Sequence, residues 1–351
     1  MTRTLIAALL LPWLAGCASF GYYYQAVSGQ MELWRKSRPI DALIGDSHTD
    51  PKLRERLELV KRLRDFASKE LALPDNGSYR KYADLQRPYV VWNVFATDEF
   101  SMKPLDWCFP FAGCVAYRGY FSEQEAAKFG AGLQSKGRDV FISGIPAYST
   151  LGWFDDPVLN TFIRYPDAEI ARLVFHELAH QVVYVSGDTM FNESFATAVE
   201  MEGMERWLER DGKPAQRAAF ETRQEYKRGF VALILKYRDR LKVLYASDLA
   251  EEEKRSRKAA TFADLQAEYA VLKQSWGGFA GYDRFFAGGL NNAHIVPVTT
   301  YSELVPAFRR LLADNKGDFP RFYAAVREIG GLGKEKRAAR LGVPAAAQPE
   351  G

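Results

Sequence analysis

The chain has 351 residues, of which 47% are hydrophobic and 14% aromatic, and this is enough to bury one large core or two intimate lobes. Its formal charge of +3 is close to balanced, and the sequence contains no basic stripe, no Gly-rich phosphate loop and no repeat. These features argue against nucleic acids and nucleotides as partners.

The first twenty residues, MTRTLIAALLLPWLAGCASF, have the pattern of an export signal. The apolar run from Leu5 to Leu14 follows a positive start and is too short to span a bilayer comfortably. The ending LAGC resembles a bacterial lipobox, so we expect residues 1–17 to be a lipoprotein signal and Cys17 to anchor the protein to the outer or cytoplasmic membrane. Ala18 favours the outer membrane, facing the periplasm. The alternative is an ordinary signal peptide with an incidental cysteine.

The other two cysteines stand close together in the segment WCFPFAGC. Pro110 and Gly113 favour a tight turn, so we expect Cys108 and Cys114 to form a disulfide in an oxidising compartment. Two buried free thiols are the alternative. Metal binding by this pair alone is not expected, because no further cysteine or histidine stands at the spacing of a zinc site.

Residues 18–150 predict an α/β lobe. It begins with a helix that ends near Pro39 and a second helix in DPKLRERLELVKRLRDFASKELAL, where apolar residues recur with a helical period. Three β-rich runs follow, RPYVVWNVFAT, CVAYRGYF and RDVFISGI, with the cysteine loop between the first two as the tip of a hairpin or a longer excursion. Between the last two, Ser122 and Glu125 form a capping box for a helix that ends at Gly137.

Residues 151–333 predict a helical lobe of the same domain. Its helices are expected in DAEIARLVFHELAHQVVYV, NESFATAVEMEGMERWLERDG, a long charged pair across 218–274, SELVPAFRRLLADN and PRFYAAVREIG. Residues 334–351 have no apolar period and are expected to be disordered. The predicted fold class is therefore α+β, with a small antiparallel β-sheet followed by a mainly helical bundle across residues 18–333.

The segment VFHELAH in the helical lobe carries two of the four histidines. His176 and His180 lie one helical turn apart, so both imidazoles can reach one metal ion. Glu177 lies about 100° around the helix, beside such an ion, where it can accept a proton from water. Asp167 is the expected N-cap of this helix and Gly187 its expected end. The pattern indicates a zinc site, and the alternative is an ordinary buried helix with two satisfied histidines.

A catalytic zinc site needs a third protein ligand and an open fourth position. Glu193 is the candidate, because the chain can reverse within SGDTMF and begin a second helix near Asn192. Six loop residues span up to about 20 Å, which exceeds the roughly 8–10 Å between packed helices. The alternative is a capping carboxylate on a solvated surface. A third histidine six residues after His180 is excluded as a ligand, because Ser186 occupies that position.

These segments, together with YYYQAVSGQ, WCFPFAGCVAYRGYF, GIPAYSTLGWFDDPVLNTF and NNAH, resemble the bacterial putative aminopeptidase family of predicted zinc lipoproteins over most of the mature chain. The resemblance implies a zinc metallopeptidase similar to the thermolysin-like and aminopeptidase-like gluzincins. It implies His176, His180 and Glu193 as ligands of Zn2+ and Glu177 as general base. The Gly-x-Met-Glu-Asn strand that binds the substrate amine in gluzincin aminopeptidases does not precede His176, which weakens the case for exopeptidase action.

Further candidates follow from the chemistry of peptide hydrolysis. The developing oxyanion needs a donor besides the metal, and His294 in NNAHIVP is the first candidate, followed by Tyr148 and Tyr282. A structural role is the alternative for each. Glu200 lies seven residues after Glu193 on the same helix face, where it can orient a histidine ligand or be a surface carboxylate.

The sequence thus predicts a zinc metallopeptidase of the cell envelope, an aminopeptidase that acts on peptides. One alternative is a metal-dependent amidase or endopeptidase that acts on cell-wall or other envelope substrates, and another is a non-catalytic envelope-binding lipoprotein. For an aminopeptidase, Asp155, Asp156 and Glu200 are the candidate partners of the free amine of the substrate.

Overall fold

A computed structural model describes residues 21–109, 113–212, 214–300 and 304–342 of the chain. The predicted signal with Cys17 lies outside the described residues, as do residues 343–351 of the predicted tail. A helix needs about twenty apolar residues to cross a bilayer, and no helix within the described ranges meets the requirements of length and hydropathy.

Short strands and helices alternate in the first half of the chain, and helices dominate from residue 167 onwards. The strands are β1 (Arg38–Pro39), β2 (Lys81–Ala83), β3 (Val91–Thr97), β4 (Trp107–Phe109), β5 (Gly113–Val115), β6 (Arg118–Tyr120), β7 (Asp139–Ile145) and β8 (Val158–Leu159). The helices are α1 (21–36), α2 (Ile40–Gly45), α3 (Pro51–Glu70), α4 (Glu123–Gln134), α5 (Asp167–His180), α6 (Thr189–Arg210), α7 (Pro214–Tyr245), α8 (Glu251–Ser275), α9 (Asp283–Phe286), α10 (Asn292–Thr300), α11 (Val305–Asp314), α12 (Phe319–Gly330) and α13 (Lys334–Arg340). The predicted α+β class is confirmed.

The central sheet has the order β6-β3-β7 with antiparallel neighbours, and its three strands lie in the three predicted β-rich runs. The two faces of β3 have different environments because its side chains alternate. Trp92 and Val94 pack towards α4, whose Ser122 cap accepts a hydrogen bond from the Glu125 amide as predicted. Phe95 packs against α10, and this second face forms one wall of a cleft.

Two small sheets accompany the central one. Cys108 and Cys114 form the predicted disulfide, and it closes a separate hairpin of β4 and β5. The other sheet has the order β1-β2-β8, and its β2–β8 pair is parallel, so the sheets are not wholly antiparallel as the sequence predicted. Strands of two or three residues are too short to show an alternating pattern, which is why β1, β2 and β8 were not expected.

The hydrophobic core does not divide at residue 150. Its largest cluster contains side chains from both predicted lobes, such as Val91 from the first and Phe175 and Phe322 from the second. Helices α7 and α8 form a separate long pair with a cluster of their own, around Ile234 and Leu265. The two predicted lobes therefore share one core that holds β3, α5 and α6 together.

The tail differs from its prediction. A helix, α13, occupies the first seven residues of the segment expected to be disordered. Its Arg337 is buried and donates two hydrogen bonds, of 3.0 and 2.6 Å, to one carboxylate oxygen of Asp188. This ion pair between distant residues orders the segment, and a pattern search along the chain does not detect such a contact.

Candidate metal centre

Helix α5 carries both motif histidines and ends on the second of them, His180, about two turns before Gly187. Beyond the helix, the backbone N–H and C=O of Val185 bond with the side chain of Asn192 at 2.7 and 2.8 Å. These groups are therefore not available for a longer helix. At the other end, Pro166 precedes the first helical residue, and the predicted cap Asp167 forms an ion pair with Arg56 instead.

Helix α6 carries the third candidate ligand. The Asp188 carboxylate caps it by accepting a hydrogen bond of 3.1 Å from the Phe191 amide, so the helix begins at Thr189 rather than near Asn192. Glu193 therefore lies in the second turn and not the first. The hydrogen bonds of Asn192 and Asp188 fix the connecting loop, and this places α6 beside α5 with Glu193 facing the two histidines.

The side chains of the three predicted ligands lie close together. The Nε2 atoms of His176 and His180 are 3.2 Å apart. The Oε2 atom of Glu193 is 3.2 Å from the His176 Nε2 and 3.7 Å from the His180 Nε2. Of the described His, Cys, Asp and Glu side chains, these form the group with ligand atoms close enough together to share a metal ion.

This spacing fits a tetrahedral metal site. Metal–ligand distances of about 2.0–2.1 Å place the corners of a tetrahedron about 3.3–3.4 Å apart. The three ligand atoms occupy three such corners and leave the fourth open. Two imidazoles and one carboxylate are a donor set that suits a borderline divalent cation. The residues present therefore fit a metal ion.

Glu200 contacts the first histidine, which agrees with the orienting role and not with the alternative of a surface carboxylate. Its Oε2 lies 3.0 Å from the Nδ1 of His176, and the side chain is 1% exposed. Arg172 lies one turn before His176 and donates to both carboxylate oxygens of Glu200 at 3.1 Å. With Nδ1 held in this way, the Nε2 of His176 is turned towards the metal position. His180 has no equivalent support, since its buried Nδ1 has no partner among the described residues.

The charges of the site favour a cation. Burial alone would raise the pKa of Glu193, but the neighbouring histidines lower it to about 2. Burial would likewise lower the pKa of His176, but hydrogen bonds with Glu193 and Glu200 raise it to about 10. Both shifts mean that the site stabilises positive charge between its carboxylates, which a bound metal ion would supply.

Glu177 lies beside the three ligands. It lines the same cleft, is half-buried, and has no hydrogen bond or ion pair with the described residues. Burial raises the pKa of its carboxyl group, and the positive charges of His176 and His180 oppose that rise. A carboxylate in this position is available to accept a proton from a molecule bound in the cleft.

The cleft has a volume of about 2110 Å³, with the three ligands in its wall. Apolar side chains from α1 and from the segment before β8 line it, and several of them are exposed: Val27, Met31, Trp34, Trp153 and Phe154. Trp34 and Phe154 meet edge to face at 4.7 Å. A cleft of this volume with an apolar rim suits an extended ligand with apolar side chains.

The tyrosines in the described cleft lining are Tyr22, Tyr117, Tyr148, Tyr165, Tyr184 and Tyr282. Burial raises the pKa of Tyr117, and the negative charges of Glu193 and Glu177 contribute to that rise. Tyr117 is thus close enough to interact electrostatically with the metal-site carboxylates, and it stays protonated as a hydrogen-bond donor. The candidates Tyr148 and Tyr282 also line the cleft, and burial raises the pKa of each to about 12.

The structure does not bring His294 to the candidate site. Its ring packs 4.2 Å from the Phe141 ring and contacts Phe285, and it is not among the described residues that line the cleft. Its Nδ1 accepts a hydrogen bond from the Asn291 amide, and burial lowers its pKa to about 4. His294 is therefore a neutral histidine of the core between β7 and α10, which corrects the expectation of an oxyanion donor.

The aspartates proposed to bind a substrate amine also lie outside the cleft lining. Asp156 is buried, and its carboxylate accepts hydrogen bonds from the amide and hydroxyl of Thr150 at 2.9 and 2.8 Å. Burial raises its pKa to about 7. Asp155 is exposed and lies 3.6 Å from the ammonium group of Lys81. Both aspartates have structural contacts in place of the expected role.

Two groups of residues in the cleft were not predicted from the sequence. Arg172 could have been found, because it stands four residues before His176 and so lies on the same face of α5. Tyr117 and Lys227 come from a short β connection and from the distant helix α7, and no local pattern links them to the histidines.

A comparison with known protein families identifies a family for this chain. A family model described as putative aminopeptidase matches residues 21–341, which is nearly the whole described chain. No curated protein and no solved structure matches the chain.

Proposed function

The chain belongs to the putative aminopeptidase family, and we propose that it is a zinc-dependent metallopeptidase that hydrolyses peptide bonds in the cleft. The observation that carries this proposal is the convergence of His176, His180 and Glu193 with Glu177 beside them. The spacing of the ligand atoms fits a tetrahedral ion with one open position, and a non-catalytic binding protein would need neither that position nor Glu177.

Each residue of the site has a separate role in the proposed hydrolysis of a peptide bond. Zinc, when bound, supplies Lewis-acid polarisation of the scissile carbonyl. Glu177 takes a proton from the attacking water onto its carboxylate and passes it to the nitrogen of the leaving amine. Glu200 holds the His176 ring in place through Nδ1. The Tyr117 hydroxyl is our candidate donor for the developing oxyanion, because it lines the cleft, interacts electrostatically with Glu193 and Glu177, and is kept protonated by burial.

An endopeptidase or amidase is the second candidate, and one observation favours it. The carboxylates in the described cleft lining are Glu169, Glu177, Glu193 and Glu200. Glu193 and Glu200 belong to the candidate metal centre, and Glu177 is the proposed base. Glu169 is paired with Arg172 at 3.0 Å. The cleft therefore offers no unpaired carboxylate, beyond Glu177, to bind the free amine that an aminopeptidase recognises.

We also propose that the protein is held at the cell envelope by lipidated Cys17, facing the periplasm. The support is the lipobox-like segment LAGC and the disulfide, which belongs in an oxidising compartment. Labelling cells with a lipid precursor tests this directly. The parent protein should be labelled and the Cys17→Ser variant should not, and equal labelling would contradict the anchor.

The metal site and the substrate class can be tested on the purified full chain. Elemental analysis should find about one zinc per chain, and His176→Ala, His180→Ala and Glu193→Ala should each lose most of it. Retention of one equivalent by the double histidine variant would contradict the site. Digestion of unblocked and N-acetylated peptides then separates the two candidates, because only an aminopeptidase requires the free amine.

A further inference from the structure

One face of helix α7 presents a row of cations to the cleft. Arg223, Lys227 and Arg228 all line it, and Arg223 and Lys227 stand one helical turn apart. Arg223 and Arg228 are exposed to solvent, whereas Lys227 is half-buried in the wall. Lys227 also lies near Glu200 and Arg172, the residues that hold His176, and it interacts with both electrostatically.

The charges around Lys227 do not balance. Arg172 pairs with Glu200 and Glu169, and the guanidinium of Arg223 lies 3.6 Å from Glu169. Three cations thus face two carboxylates. Lys227 has neither a hydrogen bond nor an ion pair with any described residue, so it is the surplus positive charge.

Lys258 is also half-buried, but its ammonium group has hydrogen-bond partners that Lys227 lacks among the described residues. The ammonium of Lys258 lies 2.6 Å from the Asp139 carboxylate and 2.7 Å from the Glu99 carbonyl oxygen. A charge withdrawn from water without such partners is costly. Consistent with that cost, burial lowers the pKa of Lys227, and the carboxylate of Glu200 only partly opposes this. A bound anion would remove the imbalance.

We propose that Lys227 binds a carboxylate of the peptide substrate, supplied by its C-terminus or by an acidic side chain. This inference rests on the proposed peptidase function and names its substrate class, peptides that carry a carboxylate a short distance from the scissile bond. The same cleft holds the metal ligands, and Glu200 contacts the ligand His176 at 3.0 Å and also interacts electrostatically with Lys227. The lysine side chain is flexible, so its ammonium group can adjust its position to bind a carboxylate at the end of a short peptide.

Peptide binding tests this inference separately from catalysis. The Glu177→Gln variant, prepared with its metal, is titrated by calorimetry with Ala-Ala-Ala and with the same peptide as its C-terminal amide. A second pair, Ala-Glu-Ala-amide and Ala-Gln-Ala-amide, tests a side-chain carboxylate. One charged hydrogen bond corresponds to about a 10- to 100-fold preference for the carboxylate peptide. The pair that shows the preference identifies the source of the carboxylate.

Variants at Lys227 then assign the preference to this residue. Adding Lys227→Met should weaken binding of the carboxylate peptide only, so that both members of the preferred pair bind with equal affinity. Lys227→Arg keeps the positive charge and should retain most of the preference. Lys242→Met, an exposed site on α7 outside the described cleft lining, is the matched control and should change neither affinity.

The outcomes separate this inference from the proposed function. Equal binding of the members of both peptide pairs, or a preference that survives Lys227→Met, overturns the carboxylate site even if the parent enzyme cleaves peptides. A preference that depends on Lys227 supports the carboxylate site even if no cleavage is found. In that case only the proposed peptidase function is contradicted.

Discussion

Replacing Glu200 by alanine should weaken metal binding about 10- to 100-fold, although this residue does not contact the metal position. The size of the effect follows from its contacts. Glu200 is 1% exposed, and its Oε2 lies 3.0 Å from the His176 Nδ1. A buried charged hydrogen bond contributes about 1.5–3 kcal/mol, which corresponds to this whole range of affinity. Without it, the His176 ring is free to turn its Nε2 away from the site.

Two further variants separate orientation from charge. Glu200→Gln keeps the shape and one acceptor oxygen, so we expect a loss of only about tenfold. Glu202→Ala, two residues along α6, removes a carboxylate that pairs with Arg206 outside the described cleft lining, and it should leave metal affinity unchanged. Competition with a chromophoric chelator gives the dissociation constants. Metal affinity of Glu200→Ala within twofold of the parent would refute the orienting role.

The remaining predictions concern stability. Arg337→Leu should lower the free energy of unfolding by about 3 kcal/mol in urea, because it leaves the buried Asp188 carboxylate unpaired, whereas exposed Arg340→Leu should change it little. The metal-free protein should be most stable between about pH 4.5 and 6.5, measured by calorimetry. The pKa of Glu193 falls from 4.5 to about 2 on folding, so its contribution is present above pH 4.5 and is lost as the pH falls towards 2. The pKa of His176 rises from 6.5 to about 10, so its contribution is present below pH 6.5 and is lost as the pH rises towards 10. A free energy of unfolding that does not change between about pH 2 and pH 10 would contradict the coupling of these groups to folding.

The parts of the site that the sequence predicted depend on local spacing. His176 and His180 share a helix face by their four-residue separation, and Glu200 follows Glu193 by two turns of α6. The position of Glu193 needed only a loop short enough to reverse the chain. The helix boundaries were less accurate, because the side chain of Asn192 and the Arg337–Asp188 pair shape the loop through contacts that spacing does not reveal.

The parts that could not be predicted depend on distant contacts. His294 was a reasonable oxyanion donor by residue type, but Phe141 from β7 encloses its ring. Tyr117 and Lys227 both line the cleft, and each is an ordinary residue in its own segment. Only the tertiary fold shows that one interacts with the metal-site carboxylates and that the other is an unbalanced cation.

Peptide hydrolysis by Glu177→Gln at full zinc occupancy tests the central claim most directly. Glutamine keeps the size of the side chain but cannot accept a proton, so the variant should bind one zinc and cleave peptides at least about 100-fold more slowly than the parent. Glu202→Gln is the control and should cleave at the parental rate. Cleavage by Glu177→Gln at the parental rate, with zinc present, would contradict the proposed role of Glu177 and with it the proposed mechanism.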